Sequence, residues 1–385
     1  MFSRHGLFSA YDMDRLNLLP ALLVGGPPHS GKSVLAYSLS QALRTRKVAH
    51  YLLRAAPDGE GDWAQEMDWR WVQAIRFKGA WDEHWVRVVC RDLAARIMPL
   101  LVDIGGKPTA EQMAIFDQCT GAILLTPNEE AARAWRAMVT ERGLPVIADL
   151  RSVRTGESML WHDEDGALRG CLSELERGKL AEGIAFEALV KRLERLFAFS
   201  EDELARTHLQ AAPKDAHVVP IRAISGGADW IAEEELEAIV ARVPSGQPIA
   251  LYGRMPVWLA TALSARREVR WQFDARLGWV RTPTFVMASP GEPLPEVQAG
   301  LRFALREVGA GVVQLDVSRE AYYLDYEAMD GVRVPYVAPS ARVRINGPQV
   351  AGGGLPLWVF AALGRAYRGC AEVRALQAQA EPADV

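Results

Sequence analysis

The chain has 385 residues, of which 49% are hydrophobic and 24% are charged, and its formal net charge is -4. A chain of this length predicts two or three domains of roughly 100 to 200 residues each. The charge balance excludes the basic excess with which proteins bind bulk nucleic acid. Pro20 interrupts the longest apolar run, which is too short to span a bilayer, and no cleavable signal pattern precedes it. We therefore expect a cytoplasmic protein with no membrane partner.

The basic residues are unevenly distributed along the chain. All seven lysines lie at or before Lys214 and all seven histidines at or before His217, so arginine is the only basic side chain beyond this point. The segment AAPKDA at residues 211–216 has the polar, proline-containing composition of a linker. Both features predict a boundary near residue 210. The predicted domains are residues 1–210, 217–290 and 291–385.

An apolar strand leads directly into a glycine-rich loop in the first domain. The strand LLPALLVGG is followed by GPPHSGKS at residues 26–33 and then by a helical pattern, which is the context that a GxxxxGK[ST] phosphate loop requires. Lys32 would reach the β and γ phosphates of ATP and would be catalytic, while the Ser33 hydroxyl would hold Mg²⁺. A chance glycine turn is the alternative. The loop residues predicted to bind ATP are Gly26, His29, Ser30, Gly31, Lys32 and Ser33, the amides from His29 onward forming the cradle.

Four further apolar segments predict the remaining strands of a parallel sheet. VAHYLLRA, MPLLVDIGG, TGAILLTP and GLPVIADL are separated by helical patterns, which predicts an α/β domain with helices on both faces of the sheet. Asp103 ends the second segment, so we predict that it binds Mg²⁺ and takes part in catalysis, although an aspartate that caps the next turn fits equally. Asp58 follows the first segment with Glu60 and Asp62. It is predicted to contribute to the ATP site, or else to lie in a solvated turn.

Residues 217–290 have the pattern of a compact α+β unit. Two strand and two helix patterns alternate, and the turn DARLG then joins the strands VRWQFDA and GWVRTPTFV. Within GRMPVWL, Gly253 allows a ligand to approach the backbone, Arg254 could bind phosphate, and Pro256 suits the first position of a helix. The alternative makes Pro256 a helix start, Trp258 a core residue and Arg254 an exposed charge.

The stretch GRMPVWL followed by DARLG resembles a ring-nuclease family of type III CRISPR antiviral defence. Members of that family bind a cyclic oligoadenylate, cyclic tetra-adenylate, and cleave the ring with help from Mn²⁺. The resemblance covers roughly residues 217–290 and implies that Asp274 is a catalytic candidate. GGPPHSGKS, APDGEGDW and LLVDIGGKP resemble the AAA-type P-loop domain that is found fused to this family. The residues implied to bind the ring are Gly253, Arg254, Pro256, Trp258 and Arg276.

The sequence departs from this family in its histidines. The family has histidines in the helix after the Trp–Leu pair, one of them implicated in cleavage, whereas Ala260 and Ala265 stand there in this chain and no histidine follows His217. Cleavage would need another base: Asp274, a histidine of the first domain, or a 2′-hydroxyl activated by positioning alone. The sequence therefore predicts binding of the ring and does not decide which group would act as the catalytic base.

GGLPLWVFAAL at residues 353–363 repeats GRMPVWLATAL at residues 253–263. If the repeat is real, residues 291–385 form a degenerate second copy that pairs with residues 217–290, with Gly354 in place of the arginine. A shared preference for Gly and Pro at helix starts is the alternative.

Three functions are compatible with these patterns. The first is a type III CRISPR accessory protein that binds ATP and cyclic tetra-adenylate and degrades or responds to the cyclic messenger. The second is a P-loop nucleotide or small-molecule kinase with a C-terminal acceptor domain. The third is a non-catalytic sensor gated by its ligands. We also expect the protein to form a homo-oligomer.

Overall fold

The computed structural model describes residues 19–55, 83–161, 166–226, 231–275, 277–321, 324–347 and 354–376. The chain divides into two compact units, Met1–His208 and Leu209–Val385. The second unit contains both regions that the sequence assigns to separate C-terminal domains. Among the described residues, no helix combines the length and apolarity needed to cross a membrane.

The first unit is built on a seven-stranded sheet with the order β2-β3-β1-β4-β5-β7-β6. All of its strand pairs are parallel except that of β6 with β7. This confirms the α/β class predicted from the buried apolar runs. The strands are β1 (Ala21–Gly25), β2 (Tyr51–Arg54), β3 (Leu100–Asp103), β4 (Gly121–Thr126), β5 (Val146–Val153), β6 (Met159–Trp161) and β7 (Leu168–Ser173).

Helices cover both faces of this sheet. One hydrophobic core contains side chains of α1 and α5, and a second core, on the other face, contains side chains of α2, α3 and α4. Both form because each helix presents an apolar stripe, such as Val86, Val89 and Leu93 on α2. The described helices are α1 (Lys32–Thr45), α2 (Glu83–Ala94), α3 (Met113–Asp117), α4 (Glu129–Glu141), α5 (Ile184–Leu196) and α6 (Glu201–Gln210).

The second unit begins with a four-stranded sheet in the order β11-β10-β9-β8. Strands β8, β9 and β10 run parallel, and β11 returns antiparallel to β10. The first of the predicted strand patterns, HVVPIRAI at residues 217–224, is a strand only to Pro220 and continues as a short helix. The elements are β8 (His217–Pro220), α7 (Ile221–Ile224), α8 (Leu236–Arg242), β9 (Ile249–Tyr252), α9 (Val257–Arg266), β10 (Val269–Asp274) and β11 (Gly278–Arg281).

A second four-stranded sheet, with the order β13-β14-β16-β17, completes this unit. Strands β13 and β14 form an antiparallel hairpin, and β14, β16 and β17 run parallel. A short parallel pair, β12 with β15, lies outside both larger sheets. The elements are β12 (Val286–Met287), β13 (Leu301–Gly309), β14 (Val312–Arg319), β15 (Arg333–Val334), β16 (Arg342–Asn346), α10 (Leu357–Ala366) and β17 (Glu372–Ala375).

The repeated sequence corresponds to a repeated βαβ element. The segments β9-α9-β10 and β16-α10-β17 have the same parallel connectivity, and their helices pack against each other. The contacts are reciprocal, because α9 contacts β17 and α10 contacts β10. Such exchange is the pattern of a two-fold related interface. The helices approach closely at Gly364, where an added Cβ would lie 2.3 Å from the carbonyl oxygen of Thr261.

Candidate functional site

The glycine-rich loop joins the carboxyl end of β1 to the N-terminus of α1. Gly31 occupies the N-cap of α1 with a φ of 88°, and no side chain caps this helix end. Amides at an uncapped helix N-terminus form an anion site. The loop is tightly enclosed, since a Cβ at Gly26 would lie 2.1 Å from the Leu125 carbonyl oxygen and one at Gly31 would lie 2.8 Å from Leu175 Cβ. Glycine is therefore required here for close packing.

The polar side chains of the loop lie where the sequence places them. Lys32 is 8% exposed, and its Nζ donates to the carbonyl oxygen of Pro27 at 3.4 Å, so the ammonium is turned back over the loop. Ser30 is 2% exposed, and its Oγ has no hydrogen-bond partner among the described residues. A buried hydroxyl that has no partner among the described residues is available to a phosphate oxygen. Ser33 is half-buried in the first turn of α1, and His29 is exposed.

One amide that the sequence predicts to bind phosphate already makes a hydrogen bond within the loop. The Ser30 amide donates to the Pro27 carbonyl oxygen at 3.3 Å, closing a turn within the loop. This long hydrogen bond would have to open before that amide could bind phosphate. In this conformation, the Ser30 amide is therefore not free to bind phosphate as predicted.

Asp103 lies beside the loop because β3 is the direct neighbour of β1. Val24 is in register with Asp103, so the carboxylate lies at the same carboxyl edge of the sheet as the loop. Asp103 is 3% exposed, and its Oδ2 accepts from Arg54 Nη1 of β2 at 3.0 Å. Arg54 was missed by the sequence reasoning. Its signal in the sequence was its place near the end of the apolar segment VAHYLLRA, while its register with Asp103 is visible only in the structure.

The backbone after Asp103 packs directly on the glycine-rich loop. A Cβ on Gly106 would lie 2.4 Å from the backbone nitrogen of Pro28. Only a residue without a side chain allows the two segments to come this close. The pair of glycines in LLVDIGGKP was the signal in the sequence. Asp58, Glu60 and Asp62 lie outside the described residues.

The turn after β9 forms the candidate site of the second unit. Gly253 has a φ of 115°, and among the described residues only Ile221 lies within 4 Å of a Cβ placed there, with its Cβ at 3.8 Å. Arg254 is exposed and makes no ion pair with another described residue. Pro256 is the N-cap of α9, so the helix begins at Val257, one position after the start that the sequence predicts. The turn thus offers open backbone beside a cationic side chain.

Two other residues that the resemblance assigns to the ring have structural roles. Trp258 is 8% exposed and packs in the hydrophobic core of this sheet, which is the role that the alternative gives it. Its contact with the ring stays a prediction. Asp274 Oδ1 accepts from the Leu277 amide at 3.3 Å and closes the turn between β10 and β11. A catalytic role of Asp274 stays a prediction. Arg276 lies outside the described residues.

Three aromatic side chains that the sequence reasoning missed lie at this same edge. The ring centroids of Tyr252 and Phe273 are 4.9 Å apart, and that of Trp279 lies 5.8 Å from Tyr252 and 5.4 Å from Phe273. All three are half-buried, and burial raises the pKa of the Tyr252 hydroxyl. Their signal was the placement of aromatic residues at or next to strand ends that flank GRMPVWL and DARLG.

Comparison with known proteins does not assign the chain to a family. No family model matches it, and no curated protein matches its sequence.

The two sites offer different chemistry. The first combines a lysine, two serine hydroxyls and a carboxylate at a helix N-terminus, which suits a magnesium-bound nucleotide triphosphate. Among the described residues, no group of three or more His, Cys, Asp or Glu side chains is placed to hold a metal. A Mg²⁺ ion that is bound together with a nucleotide does not need such a group. One or two protein oxygens, the phosphates of the substrate and water molecules hold it. The second site combines exposed backbone, an arginine and aromatic rings.

Proposed function

We propose that the first unit binds ATP with Mg²⁺ at the loop of residues 26–33. The observation that carries this proposal is the juxtaposition of the loop with Asp103 at the ends of neighbouring strands. Lys32 would leave the Pro27 carbonyl to neutralise the β and γ phosphates, and Ser30 would gain a partner for its buried hydroxyl. Ser33 and Asp103 would hold Mg²⁺. When bound, the metal supplies charge neutralisation at the phosphates.

We propose cyclic tetra-adenylate as the ligand of the second unit. The sequence resemblance supplies the identity of this ligand, and the open Gly253 backbone beside exposed Arg254 supports it. Arginine is suited to phosphate because its planar group can donate two parallel hydrogen bonds. The paired βαβ elements also suit a ring that presents phosphates around a symmetry axis. The protein would then be a type III CRISPR accessory protein that degrades or responds to the messenger.

A second candidate function is phosphoryl transfer by a P-loop kinase. The pairing of β1 with β3 supports it, because Asp103 at the end of β3 then lies beside the loop, where phosphoryl transfer needs a carboxylate to hold Mg²⁺. In this case the second unit would bind the phosphate acceptor. The AAA-type assignment from the sequence stays a prediction.

One incubation distinguishes these functions. The protein would be mixed with cyclic tetra-adenylate, with and without ATP, in Mg²⁺ or in Mn²⁺, and the products resolved by mass spectrometry. Linear adenylates would indicate a ring nuclease, a phosphorylated product would indicate a kinase, and unchanged ligands that bind would indicate a sensor. Absence of binding in a calorimetric titration with cyclic tetra-adenylate would contradict the proposed ligand.

Two variants locate the activities. Lys32→Ala should abolish ATP binding, because it removes the charge that faces the phosphates. Arg254→Gln should weaken binding of the ring, while Arg368→Gln, which alters another exposed arginine of the second unit, should not. An unchanged ring affinity in Arg254→Gln would remove that arginine from the site.

A further inference from the structure

Tyr252, Phe273 and Trp279 form one cluster at the carboxyl ends of β9 and β10, in the first sheet of the second unit. Tyr252 is the last residue of β9, and Phe273 is the last residue but one of β10. Because Leu251 is in register with Gln272, the next residues of these parallel strands, Tyr252 and Phe273, lie side by side. Trp279 is the partner of Phe273 across the antiparallel pair of β10 and β11. The cluster therefore spans three adjacent strands.

The cluster adjoins the turn that carries the cationic side chain. Gly253 and Arg254 follow Tyr252 directly in the sequence, and Asp274 follows Phe273. Parallel strands end at a common edge, so the aromatic rings and the turn face the same region. The three rings pack edge to face or tilted, with interplanar angles of 67°, 32° and 70°, and each remains partly exposed. Aromatic rings beside an arginine suit a ligand that has a flat base and a phosphate.

The fold of the repeat does not require these aromatic residues. The second copy builds the same βαβ element with Asn346 at the end of β16 and Arg374 one residue before the end of β17. The aromatic cluster is thus particular to the copy that also carries the arginine. This association favours a role in ligand binding over a general role in packing the sheet.

We propose that Tyr252, Phe273 and Trp279 form a stacking platform for the adenine rings of the ligand, while Arg254 contacts an adjacent phosphate. The identity of the base rests on the proposed function of the second unit. The platform makes the first copy the base-binding half of the pair. It also makes recognition depend on the aromatic character of the ligand, in addition to its charge.

The test measures the affinity of cyclic tetra-adenylate by calorimetry for the full chain. Phe273→Leu and Trp279→Leu should each bind roughly 5- to 100-fold more weakly, the range expected for loss of one stacked base. Phe303→Leu is the matched control, since Phe303 is a half-buried aromatic residue of β13 that packs on Phe285. Its affinity should not change. Circular dichroism would establish that each variant is folded.

A second measurement does not depend on a destabilising substitution. The protein would be labelled with 5-fluorotryptophan, and the Trp279 resonance would be assigned by its loss in Trp279→Phe. We expect cyclic tetra-adenylate to shift this fluorine resonance. Failure of the unmodified protein to bind cyclic tetra-adenylate would overturn the proposed ligand. Binding with unchanged affinity in both leucine variants, together with an unshifted resonance, would overturn the stacking platform alone.

Discussion

At the phosphate loop, single residues decide whether two backbone segments can touch. Gly106 and Pro28 belong to segments almost 80 positions apart, yet a Cβ on Gly106 would lie 2.4 Å from the Pro28 nitrogen. Backbone atoms cannot rotate away as the end of a flexible side chain can. Any larger residue at position 106 must therefore displace the loop that carries Lys32 and Ser33.

Gly106→Ala should weaken ATP binding roughly 10- to 100-fold, because displacement of phosphate-binding groups by about 1 Å has effects of this size. Titration with a fluorescent ATP analogue measures the change. Gly369→Ala is the control, because its Cβ would have no neighbour within 4 Å. ATP affinity that is equal in the two variants would show that the contact does not position the loop.

At the scale of elements, the packing of α9 on α10 depends on small residues. Gly364 faces the backbone of Thr261, and a Cβ there would lie 2.3 Å from the carbonyl oxygen and 3.1 Å from the Cα. Alanine is more favourable than glycine in a helix by about 1 kcal/mol. The helix propensity of an alanine at position 364 therefore opposes the steric clash of its Cβ. The close approach of two backbones should outweigh this preference.

We expect Gly364→Ala to lower the free energy of unfolding of the second unit by about 1 to 3 kcal/mol, as overpacking does in other cores. Urea denaturation measures the loss. Gly369→Ala, which lies a few residues beyond α10 in open space, should not be destabilised. A Gly364→Ala variant as stable as the unmodified protein would contradict the helix contact.

The helix α6 carries a buried histidine that we expect to make the first unit sensitive to acid. His208 is 8% exposed, and its Nε2–H donates to the Ile97 carbonyl oxygen at 2.6 Å. Burial lowers the pKa of this imidazole, although the hydrogen bond opposes the shift. The unfolded state then binds more protons than the folded state at mildly acidic pH.

The contribution of neutral His208 to the free energy of unfolding should therefore be complete above the histidine pKa of the unfolded state, about 6.5. It should be lost as the pH falls through the lower pKa that His208 has in the folded state. His208→Gln, which keeps a side-chain donor but cannot titrate, should show a smaller loss between pH 7.5 and pH 5. Urea denaturation of both proteins at several pH values measures this difference. Parallel pH profiles for the two proteins would exclude His208 as a source of the acid sensitivity.

At the scale of the whole molecule, the chain consists of two compact units with separate hydrophobic cores. Units with their own cores can unfold separately. ATP should stabilise the unit that binds it, by about 2.7 kcal/mol at a concentration 100 times the dissociation constant.

We expect two unfolding transitions in calorimetry, one for each unit. Mg²⁺-ATP should raise the midpoint temperature of the first unit's transition and leave that of the second unit unchanged. Hydrogen exchange followed by mass spectrometry would assign each transition to its residues. The Lys32→Ala variant serves as the control, because its transitions should not respond to ATP. A single transition that moves as a whole would indicate that the two units unfold together.

The sequence by itself determined the glycine-rich loop, the apolar strands around it and the repeated helix. These are local patterns, because a loop between an apolar strand and a helix, or a Gly-Pro start before an apolar helix, is encoded in consecutive residues. The predicted α/β class followed from them. A local pattern can serve two roles, as at Trp258, and here only the structure showed that the side chain packs in the core.

Only the tertiary structure decided which distant residues meet. Strand order brought Asp103 and Arg54 together and placed both beside the loop, because neighbours in a parallel sheet come from segments that the sequence separates by helices. Pairing across three strands likewise assembled Tyr252, Phe273 and Trp279. No spacing rule could predict these neighbours, since register and strand order are set by the burial of apolar faces in the folded chain.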